Sequence, residues 1–267
     1  MGSKLVKSDI SVLVVGDQCE DMFVYGQITR ISPEAPVPIL QPIKKTKNGG
    51  MSANVYNNLI SLKVEATLIA NKEKIIKTRY VDDRSNQMVL RVDTNDECNQ
   101  IDETIRMNIC NNYYNQKHYD AIIISDYCKG FLNSSDIELI CKSNKNVFVD
   151  TKKQLGKWIQ YATFIKINSF EYKKNYDYFN INGLTNKLII TLGRKGCLYN
   201  GKVYSVEEVS VKDVSGAGDT FLAGLVKGYL DYNDIEKAIS FAQKCTTLAV
   251  QKHGVSTVEL NEVIGTN

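Results

Sequence analysis

Short apolar runs rich in valine and isoleucine recur along the chain, separated by stretches with a helical repeat. Residues 11–16, SVLVVG, are mostly β-branched and end in glycine. Such a run is typical of a strand buried on both faces of a parallel sheet. The pattern predicts strands at residues 11–16, 64–70, 121–125, 147–149, 163–167 and 188–191, and helices at residues 52–62, 102–117, 134–143, 220–229 and 235–251. This order indicates an α/β domain with a central, mostly parallel sheet flanked by helices.

Two segments look different, because apolar and polar positions mix there without a helical period. Residues 24–43 are rich in strand-forming residues and contain Pro33, Pro36 and Pro38, which fit edge strands and turns. Residues 78–92 alternate in the way that a half-buried strand does. These segments are expected to be strands outside the buried sheet.

Length, charge and cysteine content narrow the class of protein. A chain of 267 residues fits one large α/β domain, and a formal net charge of +3 is too small to indicate nucleic acid or a membrane surface. The seven cysteines lack CxxC spacing, so we expect reduced thiols in a cytoplasmic protein. Two histidines argue against a His-based metal site or a Ser-His-Asp triad. Residues 1–9 lack the apolar core of a signal peptide, and no 18-residue apolar run is present.

Residues 211–224, VKDVSGAGDTFLAG, carry the strongest chemical signal. The small residues Gly216, Ala217 and Gly218 allow a tight turn and a close approach of the backbone to a ligand. Because the first N–H groups of a helix are unpaired and its dipole is positive there, the turn can hold a phosphate or an oxyanion. Asp219 is then placed to accept the proton of an attacking hydroxyl, as phosphoryl transfer requires. The alternative is a glycine-rich turn in which Asp219 merely complements the helix dipole.

Polar residues near other predicted elements form a second candidate set. Asp17 and Asp21 follow the first strand, where ligands bind in open α/β sheets, and their carboxylates can accept hydrogen bonds from sugar hydroxyls. Gly49 and Gly50 permit close backbone approach, and Asn54 can bond to hydroxyls. The alternatives are a solvent-facing loop with a capping aspartate, and a plain glycine turn before a capped helix.

The motif DVSGAGDTFLAG resembles the signature of the ribokinase-type carbohydrate kinases. Further motifs, in the order of that family and across nearly the whole chain, resemble its branch of D-glycero-D-manno-heptose 7-phosphate kinases. The RISPEAPVP run is the most specific, whereas GAGD is specific to the superfamily only. The motifs are GDQCED at 16–21, RISPEAPVP at 30–38, GGMSAN at 49–54, SDYCKG at 125–130, NSFE at 168–171 and KHGVSTV at 252–258.

The resemblance implies a ribokinase-like fold with a small β-lid, and a role for each matched residue. Asp219 is the implied base, and the N–H groups of Gly216, Ala217 and Gly218 hold the developing charge. The implied sugar ligands are Asp17, Asp21, Gly49, Gly50 and Asn54. On the ATP side the matched residues are Asn168, Ser169, Phe170, Glu171, Thr191 and Gly193, with Glu171 ordering water around Mg²⁺ rather than binding the metal directly. As an isolated match, Asn168 to Glu171 fits a helix-capping box equally well.

Three cationic residues extend the candidate site. Arg91 lies in the second β segment and is our candidate for the phosphate of a sugar phosphate, because a guanidinium forks onto phosphate oxygens. Lys129 belongs to SDYCKG at a strand end, and Lys152 could steady the transferred phosphate. Arg79 and Arg84 share the segment of Arg91, but solvent-facing positions describe them at least as well.

The chain also departs from the family, which usually has a crossover helix and strand between residues 70 and 78. Only residues 72–77 connect the two here, which leaves open how the lid is supported. The helix after residue 168 is also short. Because histidine occurs only at 118 and 253, we expect no nucleotidyltransferase domain with a His-x-Gly-His motif within these residues.

We therefore predict one carbohydrate kinase domain over residues 1–267, with β-lid segments at about 24–46 and 78–93. The predicted reaction is phosphorylation of the anomeric hydroxyl of D-glycero-D-manno-heptose 7-phosphate by ATP with Mg²⁺. Partners are these small molecules and a possible second copy through the lid, with no nucleic acid or membrane. The alternatives are a kinase for another sugar or nucleoside, or a catalytically weak binding protein. A dinucleotide-binding protein is disfavoured because no GxGxxG follows the first strand.

Overall fold

Strands and helices alternate along most of the chain, as the apolar pattern predicts. The computed structural model describes residues 10–265. Its strands are β1 Ser11–Gly16, β2 Gln18–Ile31, β3 Pro38–Met51, β4 Glu65–Ala70, β5 Ile76–Asp82, β6 Gln87–Thr94, β7 Ala121–Asp126, β8 Val147–Thr151, β9 Phe164–Asn168, β10 Leu188–Thr191, β11 Cys197–Tyr199 and β12 Lys202–Tyr204. Its α-helices are α1 Ser52–Ser61, α2 Glu103–Cys110, α3 Ser134–Ser143, α4 Ser169–Lys174, α5 Tyr176–Asn182, α6 Ala217–Tyr232, α7 Ile235–Ala249 and α8 Leu260–Gly265.

The larger sheet has the order β12-β11-β10-β9-β8-β7-β1-β4 over the described residues. The strands from β10 to β4 run parallel, and β11 and β12 add an antiparallel edge. Side chains alternate between two apolar layers: Val12 and Val14 face α1, α6 and α7, whereas Leu13 and Val15 face α2 and α3. Each parallel strand predicted from the sequence is present, with its ends shifted by no more than two residues. The predicted α/β class with a mostly parallel sheet is thus confirmed.

A second sheet, which we call the side sheet, has the order β3-β2-β5-β6 within the described part of the chain. The long hairpin of β2 and β3 pairs from Gln18 opposite Met51 to Ile31 opposite Pro38. Strand β5 joins β2 in parallel, and β6 pairs with β5 in antiparallel fashion. Its strands begin earlier and end later than the segments 24–46 and 78–93, because β2 continues from β1 after a single residue, Asp17.

The short connection between β4 and β5 is held by one asparagine. Asn71 is buried, and its side chain accepts a hydrogen bond from the Gln18 backbone N–H at 2.6 Å. The Asn71 amide donates to the backbone oxygens of Gln18 and Glu73, at 3.3 and 2.9 Å. This connection therefore ties the base of the side sheet directly to the central sheet without a crossover helix.

The helix predicted for residues 102–117 is shorter than expected. Helix α2 ends at Cys110, and Asn112, Asn115 and Gln116 have positive φ angles, which end a helix. Helix α6, by contrast, is longer than its predicted range of 220–229 at both ends. Throughout residues 10–265, no helix is long and apolar enough to cross a lipid bilayer.

Candidate active site

The GAGD turn, residues 216–219, forms the start of helix α6. Gly216 precedes the helix with φ 78°, and a Cβ on it would lie 2.6 Å from Asn54 Nδ2. Glycine is therefore required both by the backbone angle and by the close approach of α1. The Ala217 N–H donates to the Val214 carbonyl at 3.2 Å, a long bond that an anion would have to share. Asp213 braces the turn by accepting the Ser215 N–H at 2.8 Å.

Asp219 lies in the first turn of α6 and is 6% exposed. Its Oδ1 accepts a hydrogen bond from Tyr127 Oη at 2.7 Å, and its Oδ2 accepts one from Asn54 Nδ2 at 2.9 Å. Burial raises the pKa of Asp219 above its usual value, and these two hydrogen bonds oppose that effect. A carboxylate with this environment is a suitable general base.

A cavity of about 360 Å³ opens onto Asp219 from the side sheet, and we call it the sugar-side cavity after the ligand predicted for Asp21 and Asn54, which line it. Four cationic side chains line it together with Asp21, Asn54 and Tyr127. Arg79 pairs with Asp21 at 2.5 Å, and both side chains are largely buried. Arg79 is therefore not the solvent-facing strand residue that we considered from the sequence. The four cations are Lys77, Arg79, Arg91 and Lys129.

Two aspartates outside the lining neutralise the other three cations. Arg91 forks onto Asp93 with two contacts of 2.7 Å. This bond is the largest of the effects that set the pKa of Asp93, which is lowered to about 2. Lys77 lies 3.3 Å from Asp93 and 3.0 Å from Asp96, and Lys129 contacts Asp96 at 2.5 Å. The predicted phosphate ligand Arg91 thus belongs to a group of four cations. Of these four, only Arg91 and Lys129 were predicted as site residues.

Asp17 is not part of that lining, although we predicted it to bind sugar. It is 1% exposed, and its carboxylate accepts the backbone N–H groups of Tyr127, Lys129 and Phe131 at 2.6, 3.2 and 3.2 Å. Burial forces such a carboxylate to find donors, and the loop after β7 supplies them. In this structure Asp17 therefore braces the loop that carries Tyr127 and Lys129, and its contact with a sugar stays a prediction.

The two glycines have different surroundings. A Cβ on Gly50 would lie 2.3 Å from Asp21 Oδ2, so this glycine makes room for the Asp21 carboxylate. Gly49 lines a separate cavity of about 520 Å³ with Lys47 and Lys72. Of the predicted sugar ligands, Asp21 and Asn54 line the sugar-side cavity, and Gly50 supports it.

A third cavity, of about 620 Å³, lies on the other side of the GAGD turn, and we call it the nucleotide-side cavity after the role predicted for Thr191 and Gly193, which line it. Ala217 and Gly218 line it, together with the predicted residues Thr191 and Gly193. Helix α7 contributes Gln243, Thr246 and Thr247 to this cavity. Apolar and neutral residues make up most of this wall, among them Val206, Val211, Phe221, Thr246, Thr247 and Val250.

Residues 168–171 form a helix cap. Asn168 accepts the N–H groups of Phe170 and Glu171, and Glu171 accepts the Asn168 N–H in return, so the capping-box alternative is present. Phe170 is 63% exposed, and residues 168–171, Ser169 included, do not line the nucleotide-side cavity. Lys152 contacts Glu171 at 2.6 Å and Asp150 at 3.2 Å. The role of residues 168–171 beside ATP stays a prediction, as does that of Lys152 at the transferred phosphate.

Sequence reasoning missed a buried lysine behind the turn. Lys166 of β9 is 4% exposed and donates to Asp150 at 2.6 Å. A Cβ on Gly218 would lie 3.0 Å from Lys166 Nζ, so the positive charge stands directly behind the turn. A lysine within the apolar run FIKIN was the available signal, because a buried charge needs a partner or a function.

Comparison with known proteins identifies the family. A family model described as pfkB family carbohydrate kinase matches residues 123–262, more than half of the chain. This chain belongs to the pfkB family of carbohydrate kinases. The ribokinase-type resemblance of the motifs is thereby confirmed, as is the predicted enzyme class at the level of the family.

Two relatives in the family carry the same name. The chain is 30% identical to the bifunctional protein HldE of a Nitratiruptor species, in a match that covers 94% of this chain and 64% of the relative. It is 29% identical to the bifunctional protein HldE of Helicobacter pylori, with coverage of 94% and 65%. This pfkB chain therefore spans less than two thirds of the length of these relatives.

Among solved structures, the fold resembles ribokinase. The ribokinase of Arabidopsis thaliana, solved in complex with ribose and ATP, superposes with a TM-score of 0.70 over 96% of this chain and 98% of that one. The sequences are 14% identical, so this likeness concerns the fold. The predicted ribokinase-like architecture is confirmed.

Proposed function

We propose that this pfkB protein transfers the γ-phosphoryl group of ATP to a hydroxyl of a phosphorylated sugar. One observation carries the proposal: the GAGD turn is shared by two cavities of different character. Asp219 and Gly216 line the sugar-side cavity, and Ala217 and Gly218 line the nucleotide-side cavity. Two ligands bound there would meet at a helix N-terminus that favours negative charge.

In this mechanism Asp219 accepts the proton of the attacking hydroxyl, which orients the oxygen toward the γ-phosphorus. The N–H groups at the start of α6 and the Lys166 ammonium behind Gly218 stabilise the charge on the transferred group. The base needs to be ionised, and its two hydrogen bonds from Tyr127 and Asn54 favour the ionised form.

The cations of the sugar-side cavity support a phosphorylated acceptor. A neutral sugar needs hydrogen-bonding groups, whereas a second phosphate needs positive charge. Lys77, Arg91 and Lys129 are now balanced by Asp93 and Asp96, so a phosphate would take over these contacts. Together with the motif resemblance, this favours D-glycero-D-manno-heptose 7-phosphate as acceptor, phosphorylated on its anomeric hydroxyl to the 1,7-bisphosphate.

On the other side, the neutral wall of the nucleotide-side cavity suits an adenine ring, and the turn suits its phosphates. Mg²⁺ would arrive with ATP, since it binds phosphates and keeps most of its waters. Glu171 and Asp150 are each paired with a lysine, a donor set that suits contact through water rather than direct ligation.

The side sheet is proposed to act as a lid and as a dimer surface. In β6, Leu90 and Val92 are 54% and 41% exposed and alternate with Arg91, which lines the sugar-side cavity. Alternate strand residues point to opposite faces, so the outer face is apolar and uncovered in the single chain. A second copy of this chain is the proposed occupant. Leu90→Glu should give monomers in sedimentation analysis, and Leu139→Glu on α3 should not; an unchanged state in both argues against this surface.

The direct test is ADP release with ATP and Mg²⁺ across heptose 7-phosphate, fructose, ribose, fructose 6-phosphate and adenosine. Turnover with heptose 7-phosphate alone is the expected result. Turnover with another acceptor keeps the mechanism and removes the heptose assignment. Absence of turnover with every acceptor, despite ATP binding, contradicts the proposed activity.

A further inference from the structure

Tyr127 stands out as a group that contacts the proposed base without a role assigned from the motifs. It follows β7 and reaches across to α6, where its Oη lies 2.7 Å from Asp219 Oδ1. Asn54 occupies the other carboxylate oxygen from α1. Donors from two separate elements thus hold the two oxygens of one buried carboxylate.

The direction of the hydrogen bond follows from the two groups. Burial and then the charge of Asp219 raise the pKa of Tyr127 well above its usual value, so the phenol keeps its proton. The phenol is accordingly the donor and the carboxylate the acceptor. A donor of this kind stabilises the charged form of a carboxyl group and so lowers its pKa.

The position of the phenol is held by its surroundings. Asp17 accepts the Tyr127 N–H at 2.6 Å, and the following residue, Cys128, has a φ of 58°. Lys152 Nζ lies 5.2 Å from the centroid of the Tyr127 ring. Asp17 therefore holds the backbone of the loop, and Lys152 packs against the ring. Both contacts restrict rotation of the hydroxyl away from Asp219.

Other charges around Asp219 act on the same pKa and belong to several elements. Lys166 of β9 lowers it and Asp150 of β8 raises it. Cys19 of β2 is neutral, because burial raises the pKa of its thiol to about 12. The remaining charged groups facing the cavity are Asp21, Lys77, Arg79, Arg91 and Lys129, with Asp93 and Asp96 as partners.

We propose that Tyr127 is a positioning residue for phosphoryl transfer: its hydroxyl fixes the orientation of Asp219 and keeps the carboxylate ionised. The proton of the acceptor hydroxyl then passes to Asp219 and not to Tyr127, whose oxygen retains its own proton. This inference rests on the proposed function, because it assigns Tyr127 a task only if Asp219 is the base.

The test is the pH dependence of kcat/KM for Tyr127→Phe. The base is active when ionised, so kcat/KM falls as pH drops through the pKa of Asp219. Loss of one donor raises that pKa, and the acidic limb should move to higher pH by about one unit. On the pH-independent plateau, kcat/KM should fall by less than it does on the acidic limb. A general weakening of the fold would lower the plateau without moving the limb.

Tyr119→Phe is the matched control. Tyr119 is 4% exposed, and its hydroxyl bonds to Thr67 Oγ1 at 3.1 Å, away from the two cavities at the turn. This variant also removes a phenolic hydroxyl from a buried side chain, and its acidic limb should match that of the wild type. A direct readout that needs no turnover is the titration of the Asp219 carboxyl carbon by NMR, assigned with Asp219→Asn.

The outcomes separate the two proposals. Wild-type turnover with an unmoved limb and an unmoved carboxyl titration in Tyr127→Phe overturns the Tyr127 inference alone. Absence of wild-type turnover overturns the proposed function and the inference with it. If Tyr127→Phe fails to fold, 3-fluorotyrosine placed at position 127 keeps the ring and strengthens the donor, so the limb should move to lower pH; an unmoved limb there overturns the inference.

Discussion

The two cavities that meet at the GAGD turn are lined by different kinds of side chain. The sugar-side cavity presents charged groups that are already paired with one another, whereas the nucleotide-side cavity is walled mainly by apolar and neutral side chains. Arg194, Glu207 and Glu208 line the second cavity but are exposed. Under the proposed function, an acceptor would therefore exchange ion pairs when it binds, while a nucleotide would mainly have to fit the shape of its cavity.

This difference indicates where selectivity resides. Exchanging paired charges is favourable only for a ligand that offers equivalent charge, so a neutral sugar gains little from Lys77, Arg91 and Lys129. A neutral wall discriminates by volume instead. Substitutions on the two sides should accordingly affect different kinetic parameters.

The largest effect is expected where the two cavities meet. Asp219→Asn removes the proposed base but keeps the shape of the side chain, and kcat should fall by about 10²–10⁴-fold while ATP affinity changes little. ADP release and calorimetric ATP binding measure the two quantities. Asp177→Asn, an exposed aspartate on α5, is the matched control and should behave as the wild type. A kcat within a few-fold of wild type in Asp219→Asn would exclude it as the base.

An intermediate effect is expected on the sugar side alone. Arg91→Met removes the guanidinium that we propose to contact the acceptor phosphate, so KM for the sugar phosphate should rise by about 10-fold or more. KM for ATP should stay the same. Arg84→Met, an exposed arginine in the turn between β5 and β6, is the control. Equal losses in both variants would show that the cavity does not select phosphate through Arg91.

The smallest effect is expected on the nucleotide side. Thr247→Phe fills part of the neutral wall and should raise KM for ATP by about 10-fold through steric strain, with KM for the sugar unchanged. Thr247→Val has nearly the same volume as the natural residue and serves as the control. If the phenylalanine variant changes KM for the sugar instead, the assignment of the two cavities is reversed.

Much of the architecture was accessible from local pattern. Runs such as SVLVVG and AIIIS predicted buried strands because both faces of a parallel sheet are covered. The turn between β11 and β12 contains Asn200 and Gly201, a pair that is typical of tight hairpins. The prediction for residues 102–117 was wrong in its second half. There, asparagines with positive φ ended the helix, which an apolar period alone does not reveal.

The candidate site was accessible in part. Asp219 and the three small residues before it follow from local chemistry, because a helix N-terminus with a nearby carboxylate is defined by neighbouring residues. The contacts of Asp17 could not be predicted, because three backbone N–H groups from a loop more than a hundred residues away donate to its carboxylate. Arg79 was undervalued, since its pairing with Asp21 depends on the parallel contact of β5 with β2.

The sequence by itself therefore determined the fold class, the GAGD turn and the proposed base, because these depend on short-range periodicity and on adjacent residues. Only the tertiary structure decided that Tyr127 and Asn54 hold that base, that Lys166 stands behind the turn, and that Asp17 braces a loop. Each of these contacts joins residues far apart in the chain, and burial there leaves a polar group stable only beside a particular partner.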